Sequence, residues 1–124
     1  MIKKKPTEGE MEILQILWRM GPCTVRSVHE ELIKNKEVGY TTTLKLMQIM
    51  YEKGLVDRDT SSKSHVYSAM LNQDKIEKQL VGKMINDVFS GSASRLVMQA
   101  LGNHQASEQE IEEIKKYLNS LKLK

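Results

Sequence analysis

Three sets of residues invite a chemical reading: scattered histidines, one cysteine, and a run of hydroxyl, amine and amide side chains near the middle of the chain. His29, His65 and His104 stand far apart, and His29-Glu30-Glu31 lacks the second histidine at the spacing with which a zinc peptidase closes its metal site. Cys23 follows Gly21-Pro22 at an expected helix start, where a thiolate can be stabilised, but a small half-buried side chain is the simpler reading. There is no phosphate-binding glycine loop. Nothing assembles a catalytic, metal or cofactor site, and no enzyme is expected.

The middle run suits recognition instead. Tyr40-Thr41-Thr42-Thr43 opens a segment that continues through Lys45 and Gln48 to Gly54. At helical spacing Thr43, Leu46, Met47 and Met50 share one face, while Thr41, Thr42, Lys45 and Gln48 lie largely on the other. Threonines are small enough for a helix to enter the major groove of DNA. Their hydroxyls reach phosphate or base, their methyls can meet a thymine methyl, and Lys45 and Gln48 offer donors to guanine or adenine edges. Thr24 and Arg26, at the start of the preceding helix, are placed to hold a phosphate with the help of that helix's free N–H groups. Arg58, Lys63 and His65 sit where a hairpin would carry them to the DNA backbone or minor groove. Each residue also has a plain role: threonines cap helices, and Lys63 suits a solvated loop tip.

The elements that must position these side chains follow from caps and periodicity. Thr7-x-x-Glu10 is a capping box preceded by Pro6, and Met11, Leu14, Leu17 and Trp18 give the first helix its expected buried face, up to Gly21-Pro22. Thr24 caps a second helix expected to run to Lys34, with Val25, Val28 and Leu32 as its stripe. Beyond Gly54, the β-prone stretches Leu55–Arg58 and His65–Met70 flank the polar turn Asp59–Ser64, a hairpin whose long loop leaves the register open. Helix, helix, helix, hairpin is the order of a winged helix: the second and third helices form a helix-turn-helix and the hairpin is the wing. The fold class expected is mainly α with a small β-hairpin, with a winged-helix DNA-binding domain over 1–71 and a helical dimerisation domain over 72–124.

In that second part, Asn72 caps a helix striped by Ile76, Leu80, Met84 and Val88, broken at Ser90-Gly91-Ser92. A short helix carrying Leu96, Val97, Ala100 and Leu101 is expected to stop at Gly102-Asn103. The last opens with the capping box Ser107-x-x-Glu110; its apolar residues Ile111, Ile114, Leu118 and Leu121 fall on a short a/d seam, with Lys122 and Lys124 at the end that favours cations. These stripes carry more apolar surface than three short helices bury in one appendage. A homodimer joined through Met84, Val88, Leu96, Val97, Ile111, Ile114, Leu118 and Leu121 is therefore expected, with folding back onto the chain's own winged domain as the alternative. Dimerisation would set two recognition helices one DNA turn apart, about 34 Å.

Composition bounds these readings. The 124 residues are 40% apolar and 28% charged, which suits one compact unit plus an appendage. No apolar run reaches the ~20 residues of a membrane-spanning helix, and basic Met1–Pro6 has no apolar stretch after it to make a signal peptide. A single cysteine excludes an intramolecular disulfide and fits a reducing cytoplasm, the expected location. The net charge of +3 is mild, with eleven Lys and Arg against nine Asp and Glu over residues 1–71. DNA binding must come from a local patch, and a winged-helix module that binds protein instead of DNA stands as the rival.

Thr7–Trp18, Thr24-Val25-Arg26-Ser27-Val28, Tyr40–Met47 and Glu52-Lys53-Gly54-Leu55-Val56 together resemble the BlaI/MecI/CopY family of penicillinase-repressor-type regulators, and the C-terminal helices are similar in spacing. The resemblance implies a homodimeric winged-helix repressor of inverted-repeat operators, with Thr41, Thr42, Lys45 and Gln48 facing the groove and a wing from Arg58 to Tyr67. It also implies regulation of β-lactam resistance, copper handling or a neighbouring membrane metallopeptidase sensor. Three departures stand out. Thr43 replaces a β-branched aliphatic residue and Ile49 an arginine, which bears on base preference and one phosphate contact. Where β-lactam repressors are cleaved at an Asn-Phe bond, this chain has Gln99-Ala100. The paired Cys-x-Cys motifs of the copper branch are missing, which excludes that mode of metal sensing.

Overall fold

The computed structural model describes residues 5–103 and 106–121; His104, Lys122 and Lys124 lie outside the described residues. Helix α1 (Glu8–Met20) begins where the capping box requires: the Thr7 hydroxyl accepts from the Glu10 N–H at 3.2 Å, and the Glu10 carboxylate accepts from the Thr7 N–H at 2.9 Å. Gly21, at φ 83°, takes the chain out of the helix in a conformation that disfavours a side chain. The buried apolar residues of α1 are Ile13, Leu14, Ile16 and Leu17, whereas Met11 and Trp18 are only half-buried. The helix contacts two other helices and a strand, so its apolar sector is wider than a single stripe. Trp18 stays at the edge, where its indole N–H donates to the Leu71 carbonyl at 2.9 Å.

Thr24 caps α2 (Val25–Leu32) by accepting from the Ser27 N–H, and Val25, Val28 and Leu32 are buried as their spacing predicts. The helix ends two residues before Lys34, and Ile33–Asn35 continue as a turn. Helix α3 (Tyr40–Glu52) follows, then strands β2 (Val56–Asp59) and β3 (Val66–Ala69). The hairpin pairs Val56 with Ala69 and Arg58 with Tyr67, which fixes the register. One strand was not anticipated: β1 (Cys23–Thr24) pairs antiparallel with β3, giving the sheet order β1-β3-β2. Two residues are too few to leave a period in the sequence. With this short strand ahead of α2, the architecture is a winged helix.

Helix α4 (Gln73–Asp87) starts at Asn72, whose side chain accepts from the Lys75 N–H, and the chain breaks at Ser90 (φ 51°) and Gly91 (φ 87°). Helix α5 (Ala93–Asn103) ends at Asn103, where the Gly102-Asn103 pair led the sequence to expect its end. Gly102 lacks the positive φ of a helix-terminating glycine and is tolerated inside the helix at a cost of ~1 kcal/mol. Helix α6 (Glu108–Ser120) opens with the second capping box, Ser107 and Glu110, both bonds at 3.1 Å. The chain forms two compact units, one extending to Glu77 and one from Lys78 onward. Among the described residues, no helix is long and apolar enough to cross a membrane.

The first unit carries an ion pair that its sequence does not announce. Lys53, just past α3, reaches the Glu10 carboxylate at 2.6 Å, with the two side chains 16% and 3% exposed. Burial by itself raises the Glu10 pKa; the Lys53 ammonium and the bonds from Thr7 outweigh it and hold the carboxyl below the usual glutamate value. The pair is thus a brace between α1 and the end of α3. Lys53→Met strands a buried carboxylate and is expected to cost about 3 kcal/mol in urea unfolding at neutral pH. Because the folded pKa is depressed, the stability contributed by Glu10 is complete above its unfolded value and is lost as pH falls through the folded one. A variant as stable as wild type would remove the brace from this account.

Candidate nucleic-acid interface

Helix α3 has two faces with different fates. Thr43, Met47 and Met50 are wholly buried, while Thr41, Thr42, Lys45 and Gln48 are exposed. Thr43, read from the resemblance as bearing on base preference, is a core residue and faces no groove. Its branched shape fills an aliphatic position, and its hydroxyl meets His29 Nδ1 at 2.9 Å and donates to the Gly39 carbonyl at 3.5 Å. Thr43→Val keeps the shape but leaves the half-buried imidazole without that partner. A loss of about 1 kcal/mol in denaturant unfolding is expected, and no loss would mean that the bond contributes nothing net.

The start of α2, the exposed side of α3 and the wing enclose a groove of about 590 Å³. Thr24, Arg26, Tyr40, Gln48, Arg58, Lys63 and His65 line it, together with Leu44, Ser64 and Tyr67. Thr41, Thr42 and Lys45 are not in its lining; they stand on the open surface of α3. Two arginines, one lysine and one histidine thus share a concave surface with no carboxylate in its lining. Bonds from Ser61, above all from its backbone N–H, hold the Asp59 carboxyl below its usual value, and the nearby His65 acts in the same direction. The Thr24 hydroxyl is already engaged, accepting from the Ser27 N–H and bonded to the Ser27 hydroxyl, each at 3.2 Å.

The groove also contains contacts that residue types alone do not suggest. The Arg26 guanidinium lies 5.2 Å from the centre of the Tyr40 ring, and Tyr40 meets His29 edge-on at 5.5 Å. The Arg58 guanidinium lies 4.1 Å from the centre of the Tyr51 ring. The neighbouring Tyr67 hydroxyl raises the Arg58 pKa above its ordinary value, with smaller help from the Glu52 carboxylate. Tyr51 was missed in the sequence because its partner lies on a different element. Cys23 is half-buried, and burial followed by the Glu31 carboxylate pushes its thiol up, away from the reactive thiolate. Among the described residues, no group of three His, Cys, Asp or Glu is arranged to hold a metal ion.

The second unit presents apolar side chains. Met84, Val88, Val97, Leu118 and Leu121 are exposed, and Leu96, Ile111 and Ile114 are half-buried. Met98 at 71% and Tyr117 at 63% exposure belong with them, though the seam spacing did not single them out. Neither α5 nor α6 has a buried residue. Gln99 and Ala100 are exposed, and the bond between them lies inside regular helix, so a protease would need α5 to unwind locally.

Comparison with known proteins adds a family and a fold. The family model described as Penicillinase repressor matches residues 6–120. The methicillin resistance regulatory protein MecI of Staphylococcus aureus (strain N315) is 26% identical over 113 residues, spanning 91% of this chain and 92% of that protein. The penicillinase repressor of Staphylococcus aureus is 26% identical over 116 residues, spanning 94% and 92%. A solved MarR family protein from Bacillus stearothermophilus is similar in fold, with a TM-score of 0.57 at 20% identity, over 95% of this chain and 74% of that one.

Proposed function

The chain belongs to the penicillinase repressor family, and from that membership we propose that it is a homodimeric, sequence-specific DNA-binding transcriptional repressor acting on inverted-repeat operators. The observation that carries the reading is the polar face of α3, fully presented beside a basic groove that no carboxylate lines. Thr41, Thr42, Lys45 and Gln48 would read base edges, and Arg26, Arg58, Lys63 and His65 would meet the backbone or the minor groove. Catalysis, metal and cofactor have no part in this function. One winged domain holds an operator weakly, so the apolar faces of α5 and α6 pair two copies. Relief of repression by cleavage at Gln99-Ala100, and a membrane metallopeptidase sensor that triggers it, complete the reading; such a cut would separate α6 from the DNA-binding unit.

The rival, a winged-helix module that binds protein, rests on the mild net charge of +3. A salt series on the DNA upstream of its own gene separates the two. A repressor making six or more phosphate contacts should lose at least about a thousandfold in affinity between about 50 and 200 mM salt, through counterion release. Absence of binding at the lowest salt would favour the protein-binding module.

A further inference from the structure

Tyr40 and Tyr51 stand at the two ends of α3, and each is 39% exposed, so neither ring is consumed by the core. Their separation along the helix is eleven steps, roughly 16 Å at ~1.5 Å per residue. Each ring is faced by an arginine from a different element, Arg26 of α2 at 5.2 Å and Arg58 of β2 at 4.1 Å, and both arginines line the same groove. We propose that Tyr40 and Tyr51 are positioning residues that hold Arg26 and Arg58 as preset phosphate contacts, so that the groove between α3 and the wing seats the sugar-phosphate backbone beside the major groove. The inference rests on the repressor reading and adds residues to it.

The chemistry of the contact favours an anion. A guanidinium over an aromatic face is attracted by the ring quadrupole and spends none of its in-plane N–H donors there. Those donors remain available for a phosphate in the bidentate geometry that arginine supplies. A carboxylate in the same place would neutralise the charge and occupy the donors, and none lines the groove. Arg58 is placed further by its register opposite Tyr67 in the hairpin, a residue that is 1% exposed. Long side chains lose rotamer freedom when they bind; a ring that orders them beforehand lowers that loss without taking part in base recognition.

The test uses the full chain, DNA from upstream of its gene and a random duplex of equal length, with affinity measured against salt. Arg58→Ala should weaken binding to both duplexes alike and reduce the salt slope by ~0.9 for each subunit that loses the contact. Tyr51→Leu should lower affinity roughly tenfold for a dimer, again on both duplexes, and Tyr51→Phe, which keeps the ring face, should restore it to within about twofold. In an Arg58→Ala background, Tyr51→Leu should have no further effect, because a positioning residue acts only through the group it positions. A Tyr51→Leu loss that persists without Arg58, a Phe variant as weak as Leu, or a Leu variant that binds like wild type would each overturn the proposal. In all three the wild type still binds DNA. Wild-type protein that binds neither duplex would instead overturn the repressor reading itself.

Discussion

Ile114→Asp combined with Leu118→Asp is expected to convert the protein to monomers and to lower its affinity for operator DNA at least about a hundredfold, the gain that linking two binding sites commonly provides. Leu118 is 60% exposed and Ile114 half-buried, on a helix with no buried residue. A helix whose apolar stripe contains no buried residue needs a second surface, and a second copy supplies one through the seam from Ile111 to Leu121. Two carboxylates placed in that seam would have to be desolvated without countercharge in the dimer, yet remain in water in the monomer. The winged unit, whose core cluster draws on residues before position 78, should keep its fold. Sedimentation velocity and gel shift read the two effects separately. Double variants that stay dimeric and bind tightly would remove α6 from the interface.

Lys45→Ala with Gln48→Ala is the second large effect. Both side chains are exposed on α3, opposite the buried Thr43, Met47 and Met50, so their removal spares the core, and alanine keeps the helix. Each good base contact is worth about 1–3 kcal/mol of discrimination and occurs twice in a dimer. Affinity for the operator should therefore fall by about a hundredfold or more, with a much smaller change on random duplex due to the lost lysine charge. The signature is collapse of the ratio between the two duplexes. A uniform loss on both would reduce Lys45 and Gln48 to nonspecific contacts.

What could be read from the sequence was local. Thr7 with Glu10 and Ser107 with Glu110 close their capping boxes because each pair lies within one helical turn. The two faces of α3 were legible because one period of 3.6 residues sorts Thr43, Met47 and Met50 from Thr41, Thr42, Lys45 and Gln48. Contacts between elements were not legible. Glu10 finds Lys53 across 43 positions, and the approach of Arg58 to Tyr51 depends on where β2 lies against α3. Strand β1 borrows its partner from β3, and neither Cys23 nor Thr24 looks like strand until that edge is present. The wider buried face of α1 has the same origin: Ile13 and Ile16 are covered by elements that periodicity within α1 cannot foresee. Thr43 is the instructive case: the family resemblance tied it to base preference, while its helical spacing with Met47 and Met50 placed it on the face that the core buries.

A nuclease footprint of the protein on DNA upstream of its own gene tests the central claim most directly. Two protected half-sites related by a two-fold axis are expected, their centres one helical turn or a whole multiple of ~34 Å apart, with both contacted faces on the same side of the duplex. Protection of a single unsymmetrical stretch, or of none even in low salt, would contradict the account of two recognition helices joined by a self-pairing tail.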